Sequence, residues 1–347
     1  MNIFVTIIVT ILIFGLIIFI HELGHFLVAK ASGIRVNEFA LGMGPTLFHF
    51  GKGETKYALR LFPIGGFVSM EGEDDDSEDE RAFFRKPVWK RILVVLAGAA
   101  MNLILGFIVL MIMISMQKQV LTTQISAFHD EQLSAQTGLK VGDEILKIDG
   151  SRTRIDNDIS FALSRAIDNK VDFTVRRNGT EIEVKDVQFP IVEQNGRKMI
   201  NPDFYLQTAK KTPWQVIKQA GLKVGSIVKV VWVSLSDLVT GRASLKDLSG
   251  PVGVATVVGD AVHQQTFKQS LYSTLNLLAF ITINIGVFNL LPFPALDGGR
   301  FIFLIIEGIR RKPVKREIEG YVNMVGFALL MLLMVVVTFK DIWGLIF

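Results

Sequence analysis

The sequence predicts an α-helical multi-pass membrane protein with four transmembrane helices, a membrane-associated β-hairpin and an inserted small α+β domain. Three observations carry that reading. Half of the 347 residues are apolar and mean hydropathy is positive, +0.42, which suits a membrane protein with room for one extramembrane domain. Four apolar runs are long enough to cross a hydrocarbon core of about 30 Å: Ile3–Ala29, Ile92–Met116, Leu271–Leu291 and Val322–Phe339. From about Thr122 the composition turns soluble, and short alternating segments replace the long runs. The net charge of +4 calls for no nucleic-acid partner. With no cysteine, disulfides and thiolate ligands are excluded. Nothing in the chain implies an oligomer.

The first run carries no charge from Ile3 to Ile20 and ends in His21-Glu22-Leu23-Gly24-His25. Residues four apart share a helix face, so His21 and His25 can offer two imidazole nitrogens to one metal. Glu22 beside them can take a proton from a water. A helix with two satisfied histidines and a surface glutamate is the plainer alternative. Ionisable groups inside a membrane segment mark function by default, and this weighs against it. The run lacks a basic leader and continues into the histidines, so it is expected to be retained rather than cleaved as a signal peptide.

The loop from 30 to 91 is expected to hold a hairpin, because Thr55–Phe62 and Phe67–Met70 alternate on either side of Pro63-Ile64-Gly65-Gly66. The acidic run Glu73–Glu80 then reads as solvated and disordered, without chemistry. The loop closes on Arg85, Lys86, Lys90 and Arg91, and a second basic cluster, Arg310–Arg316, precedes the fourth run. With four spans these connections share a side, which the positive-inside rule makes cytoplasmic. Both termini and residues 118–270 then lie outside. His25 and His21 fall about 8 and 14 Å along the helix from Lys30, nearer the cytoplasmic face.

Ser134–Gly150 runs from a turn through a short strand to an Asp149-Gly150 turn. Ile159–Ile167 reads as a helix, and Val171–Val175 and Glu181–Val187 as strands around Asn178-Gly179. This order resembles a circularly permuted PDZ domain, which would either capture a chain end or act as a steric filter. Thr212-Pro213 then opens a helix of about 25 residues whose interleaved Lys218, Lys223 and Lys229 suit the membrane interface better than a span. The expected divisions are 1–117, 118–192, 193–270 and 271–347.

Two histidines do not complete a catalytic zinc site, for which three protein ligands are usual. His49, His129 and His263 lie in polar or loop-like sequence, so the third ligand is expected to be a carboxylate. Asp297 stands out in Asn289-Leu-Leu-Pro292-Phe-Pro294-Ala-Leu-Asp297-Gly298-Gly299. There prolines and glycines put irregular backbone at membrane depth, which is tolerated only against protein or a water-filled cavity.

These two motifs, with Phe62–Met70, the PDZ-like middle and Ser249-Gly-Pro-Val-Gly253, resemble the site-2 protease family of intramembrane zinc metalloproteases. The bacterial regulator of sigma-E protease type is the nearest branch, here with space for a single PDZ domain. The resemblance implies an endopeptidase of the bacterial cytoplasmic membrane, acting within the lipid bilayer. Zn²⁺ would sit on His21, His25 and Asp297, with Glu22 as the base. Its substrates would be single-span membrane proteins already trimmed outside, such as anti-sigma factors or remnant signal peptides. It further implies that the hairpin around Gly65 and Gly66 adds an extended substrate strand to its edge, where an ordinary cytoplasmic hairpin is the alternative. Asn289 and Pro292 would help position that strand, with Asn284 assisting, although an amide in a membrane helix also bonds neighbouring helices. Two rival readings are a non-proteolytic PDZ scaffold with a structural metal and a zinc transporter. Glu22 argues against the scaffold, because a structural site needs no base, and a transporter would want ligands along a path.

Overall fold

The computed structural model describes residues 3–346 apart from 52, 74–75, 130–131, 167–168, 195–196, 243–247 and 249. In chain order the elements begin with α1 (Ile3–Ala31), β1 (Val36–Phe50), β2 (Lys56–Met70) and α2 (Val88–Met116). The middle holds β3 (Gln119–Phe128), α3 (Leu133–Gln136), β4 (Glu144–Ile148), β5 (Ser151–Arg152), α4 (Asp156–Ser164), β6 (Lys170–Arg177) and β7 (Thr180–Gln188). There follow β8 (Ile191–Gln194), β9 (Arg197–Ile200), β10 (Phe204–Lys210), α5 (Pro213–Val239), α6 (Pro251–Val262), α7 (Phe267–Asn289), α8 (Asp297–Arg310) and α9 (Arg316–Ile346). Residues 1–109 with 231–347 form one unit and residues 110–230 another.

Among the described residues, four helices are long and apolar enough to cross a membrane: α1, α2, α7 and α9. They contain the four expected runs, save that α7 ends at Asn289, two residues before the expected Leu291. Phe4, Ile7, Leu12 and Leu16 of α1 and Phe327, Leu332 and Val335 of α9 point outward. Such continuous apolar surface is stable only in an apolar solvent, so this is a membrane protein. α5 is absent from that set, as its lysines predict.

The hairpin differs from expectation. Residues 56–59 and 66–70 do not pair with each other, because residues 38–41 of β1 lie between them: Ala40 pairs with both Ala58 and Phe67, and Leu41 with both Leu59 and Gly66. Residues 48–50 add a further segment against 57–59. Each long strand therefore folds back on itself. The bends are glycines: Gly42 and Gly65 have φ of +82° and +77°, and a Cβ on Gly42 would come within 2.5 Å of the Phe62 carbonyl. Segment 66–70 bonds only 36–41, leaving its other edge without a strand among the described residues.

The acidic run also differs from expectation. Asp74 and Asp75 lie outside the described residues, but Glu73 pairs with Arg300 and Asp76 with Arg316 at 2.7 Å. Ser77 donates to Glu71 at 2.6 Å, and Asp79 accepts from Arg35. A run of one sign repels itself until opposite charge arrives; here α8 and α9 bring it.

In the 110–230 unit the strands order as β10-β3-β4-β6-β7, with β5 paired to β4, and β8-β9 form a separate ribbon. Ile125, Ile145, Ile148, Phe173, Val175, Val187 and Phe204 are its buried core. Positive φ at Asp149 and Gly150, and at Asn178 and Gly179, makes the tight turns expected there. α4 begins at Asp156, earlier than expected, and Ile167 lies outside the described residues. β10 closes the sheet from residues expected to be linker. Thr212 caps α5 reciprocally with Gln215.

Candidate metal centre

α1 delivers His21 and His25 one turn apart, and the first residue of α8 delivers Asp297. The His21 Nε2 and His25 Nε2 atoms are 3.2 Å apart, and Asp297 Oδ2 lies 3.3 and 3.4 Å from them. Among the described residues this is the one group of three or more potential ligands. His49 lies on β1, away from it, His129 rests against the Tyr205 ring and His263 contacts the Gly259 carbonyl.

The three atoms fit a zinc ion. Bonds of about 2.0–2.1 Å in a tetrahedron space ligand atoms by roughly 3.3–3.4 Å, close to the observed separations. Asp297 Oδ2 is buried without a hydrogen-bond partner, an arrangement that a cation resolves. Room for the ion comes from a missing side chain. A Cβ on Gly98 of α2 would lie 2.3 Å from His25 Nε2 and 2.8 Å from His21 Nε2. One turn earlier, the Val94 carbonyl accepts from His25 Nδ1 at 2.8 Å. One turn later, the fully buried Asn102 places its amide nitrogen 3.4 Å from His21 Nδ1.

Packing holds the two motifs together. A Cβ on Gly24 would lie 2.4 Å from the Ala97 carbonyl, so glycine lets α1 and α2 approach. Gly298 and Gly299 lie so close to the 290–294 backbone that a Cβ on either would come within 2.1–2.4 Å of a carbonyl. Arg91 of α2, buried, pairs through both terminal nitrogens with Glu307 of α8. Asp341 of α9 accepts from the Gly250 and Gly253 amides at 2.8 Å each, anchoring the start of α6. Ser249 of that motif lies outside the described residues.

A cavity of about 190 Å³ opens onto the cluster, lined by His21, Glu22, His25, Asp297, the 66–70 edge, Glu73 and Arg300. Gly66 belongs to that wall, and a Cβ there would be 3.0 Å from Glu22 Cγ. Gly65 instead turns toward Met43. Asn289 ends α7, Pro292 lies in the connection to α8, and Asn284 donates to the Phe280 carbonyl of its own helix at 2.7 Å. None of these three lines the cavity. Val94, Gly98 and Asn102 escaped the sequence reading. Asn102 had a usable signal, an amide inside an otherwise apolar run.

Residues 9–333 match the family model described as peptidase family M50. A Clostridium perfringens relative is 42% identical over 337 residues, spanning 97% of this chain and 98% of its own. The regulator of sigma-W protease RasP of Bacillus subtilis is 33% identical, spanning 97% of this chain and 98% of its own. The zinc metalloprotease RasP of Geobacillus kaustophilus is 31% identical, spanning 96% of each. The two RasP alignments run over 420 and 418 positions against a chain of 347, so these relatives carry insertions this chain lacks.

Proposed function

This chain belongs to peptidase family M50 and is a zinc metalloprotease, and from that premise we propose that it cuts single-span membrane proteins within the bilayer, with His21, His25 and Asp297 as the zinc ligands. The observation that carries the reading is the meeting of these three side chains with Glu22 on one cavity, beside a strand edge that pairs with no second strand among the described residues. Zinc bound there supplies Lewis acidity, bringing the pKa of a water toward neutrality and polarising a carbonyl oxygen. Glu22 accepts the proton of the attacking water, whose oxygen bonds to the scissile carbonyl carbon. Glu22 then passes that proton to the amide nitrogen as the C–N bond breaks, releasing an amine and a carboxylic acid, whose remaining proton goes to solvent.

A transmembrane helix must unwind before its backbone can be attacked. The free edge of residues 66–70 offers backbone hydrogen bonds to an extended chain without reading its sequence, with Gly66 giving close approach. Asn289 and Pro292 act from the α7–α8 connection, shaping the backbone that delivers Asp297, and Asn284 stays a secondary candidate.

The basic connections put the hairpin and acidic run on the cytoplasmic side, and residues 118–192 outside as a PDZ-like domain. It serves as a size filter, so substrates arrive already shortened. The Bacillus subtilis relative RasP is a regulator of sigma-W protease by name, and anti-sigma factors fit this substrate class, as do remnant signal peptides.

The test is incubation of purified protein with a single-span substrate, with and without a chelator. Cleavage within the membrane segment, lost on chelation and restored by zinc, is expected. Absence of cleavage with zinc loaded would favour the scaffold reading.

A further inference from the structure

His25 and His21 are not held alike. The Val94 carbonyl can only accept, so His25 Nδ1 carries a hydrogen and Nε2 turns a lone pair toward Asp297 and the Gly98 gap. His21 needs the same tautomer to ligate through Nε2, and its Nδ1–H then needs an acceptor. What faces it is Asn102, whose amide nitrogen lies at 3.4 Å and whose Oδ1 is buried without a partner. A donor thus opposes a donor while an acceptor stands idle on the same group. Carboxamide oxygen and nitrogen exchange places by a half-turn of the side chain, and the hydrogen-bond network decides between them. Turned, Oδ1 accepts from His21 Nδ1–H.

We infer that Asn102 is a positioning residue that holds His21 in the zinc-binding tautomer through an Nδ1–H···Oδ1 hydrogen bond, as Val94 does for His25. Val94, Gly98 and Asn102 recur every four residues on α2, a stripe set against the two histidines of α1. The position is firmly built. Asn102 is fully buried, and its backbone carbonyl accepts from Thr282 of α7 at 3.2 Å. A Cβ on Gly106, one turn on, would meet Ile283 at 2.4 Å, so α7 lies close along this part of α2. The inference rests on the ligand set proposed above and assigns how one ligand is oriented.

The experiment measures zinc affinity of the purified full chain by competition with a chromogenic chelator, for wild type, Asn102→Leu, Asn102→Asp and His21→Ala. Removing such a partner costs about 10–100-fold in metal affinity, which is the loss expected for Asn102→Leu, whereas Asn102→Asp keeps an acceptor and should stay within about threefold. Thermal unfolding of the zinc-free forms checks the fold. Wild-type affinity in Asn102→Leu overturns the inference, and so does an equal loss in Asp and Leu variants whose zinc-free unfolding is unchanged. Unaltered affinity in His21→Ala overturns the ligand set instead, so the two failures are distinct. Should the variants not fold, imidazole ¹⁵N spectra of the zinc-loaded wild type decide. The His21 Nδ1 proton should be present and protected from exchange, and a bare or freely exchanging Nδ1 sinks the assignment.

Discussion

The 110–230 unit keeps Ile145, Ile148, Phe173 and Val175 fully buried, and Asp143 and Asp203, carboxylates it also buries, accept hydrogen bonds from Arg177 and Ser134. The helices of the other unit turn Phe4, Leu12, Phe327 and Leu332 outward and enclose Asn102, Thr282 and, partly, His21, His25 and Asp297. The same chain has thus been sorted by two solvents. In water, apolar burial makes the core, and a polar group enters it only with hydrogen-bond partners. In lipid, apolar side chains gain little by turning inward, so the interior is free to hold small and polar residues. Gly24 and Gly98 are part of that economy. They let helix backbones come close, and Gly98 leaves a space beside the two imidazole Nε2 atoms. The difference teaches that the candidate ligand cluster sits where hydrophobic burial has least say.

The largest effect should come from the polar interior. Glu22→Gln should keep its zinc and fold while cleavage falls by about 10²–10⁴-fold, because an amide cannot accept the water proton. Zinc content and cleavage rate measured on one preparation check it, and cleavage above about one per cent of wild type would assign the proton to another group.

Gly98→Ala attacks the space instead of the chemistry. A methyl 2.3 Å from His25 Nε2 forces that ring away from Asp297, so zinc per chain should fall well below the wild-type value with helix content by circular dichroism unchanged. Full zinc occupancy would show that α1 and α2 can part to admit the methyl.

Phe173→Ala puts the comparison to work from the other side. Phe173 is fully buried in the β domain, and its truncation should cost about 3–5 kcal/mol there. Pulse proteolysis of the 110–230 region would report the loss, while zinc content stays at the wild-type level. Loss of zinc in parallel would mean that the two interiors are not separately built.

The smallest effect lies at the surface. Glu54 accepts from Lys30 at 2.6 Å and from Arg81 at 2.5 Å, and these hydrogen bonds bring its pKa from the ordinary 4.5 down to about 2. The folded value lies below the unfolded one, so the contribution is fully present above about pH 4.5 and fades as pH falls toward 2. Solvent screens the group, which keeps the effect small. Stability scanned over that window should decline slightly less in Glu54→Gln than in wild type. Identical slopes would mean that the pairs contribute nothing measurable.

What the sequence determined by itself was local. Helical period and length set the membrane helices. The four-residue spacing set the His21–His25 pair, because one helix turn is the same in any fold. Asp-Gly and Asn-Gly pairs set the turns at Asp149-Gly150 and Asn178-Gly179, and Thr212 with Pro213 set the start of α5. Composition and irregular backbone singled out Asp297, without any measure of its distance from the histidines. Tertiary structure decided what depends on partners far along the chain. Gly98 matters only because two imidazoles face it, and a missing Cβ has no meaning until its neighbours are placed. Residues 38–41 could come between the two expected hairpin arms because alternation marks a strand without naming its partner. Glu73 and Asp76 of the acidic run found partners because α8 and α9 bring Arg300 and Arg316 to them, over more than two hundred residues of sequence. Periodicity reaches a few residues, whereas packing joins any two surfaces that fit.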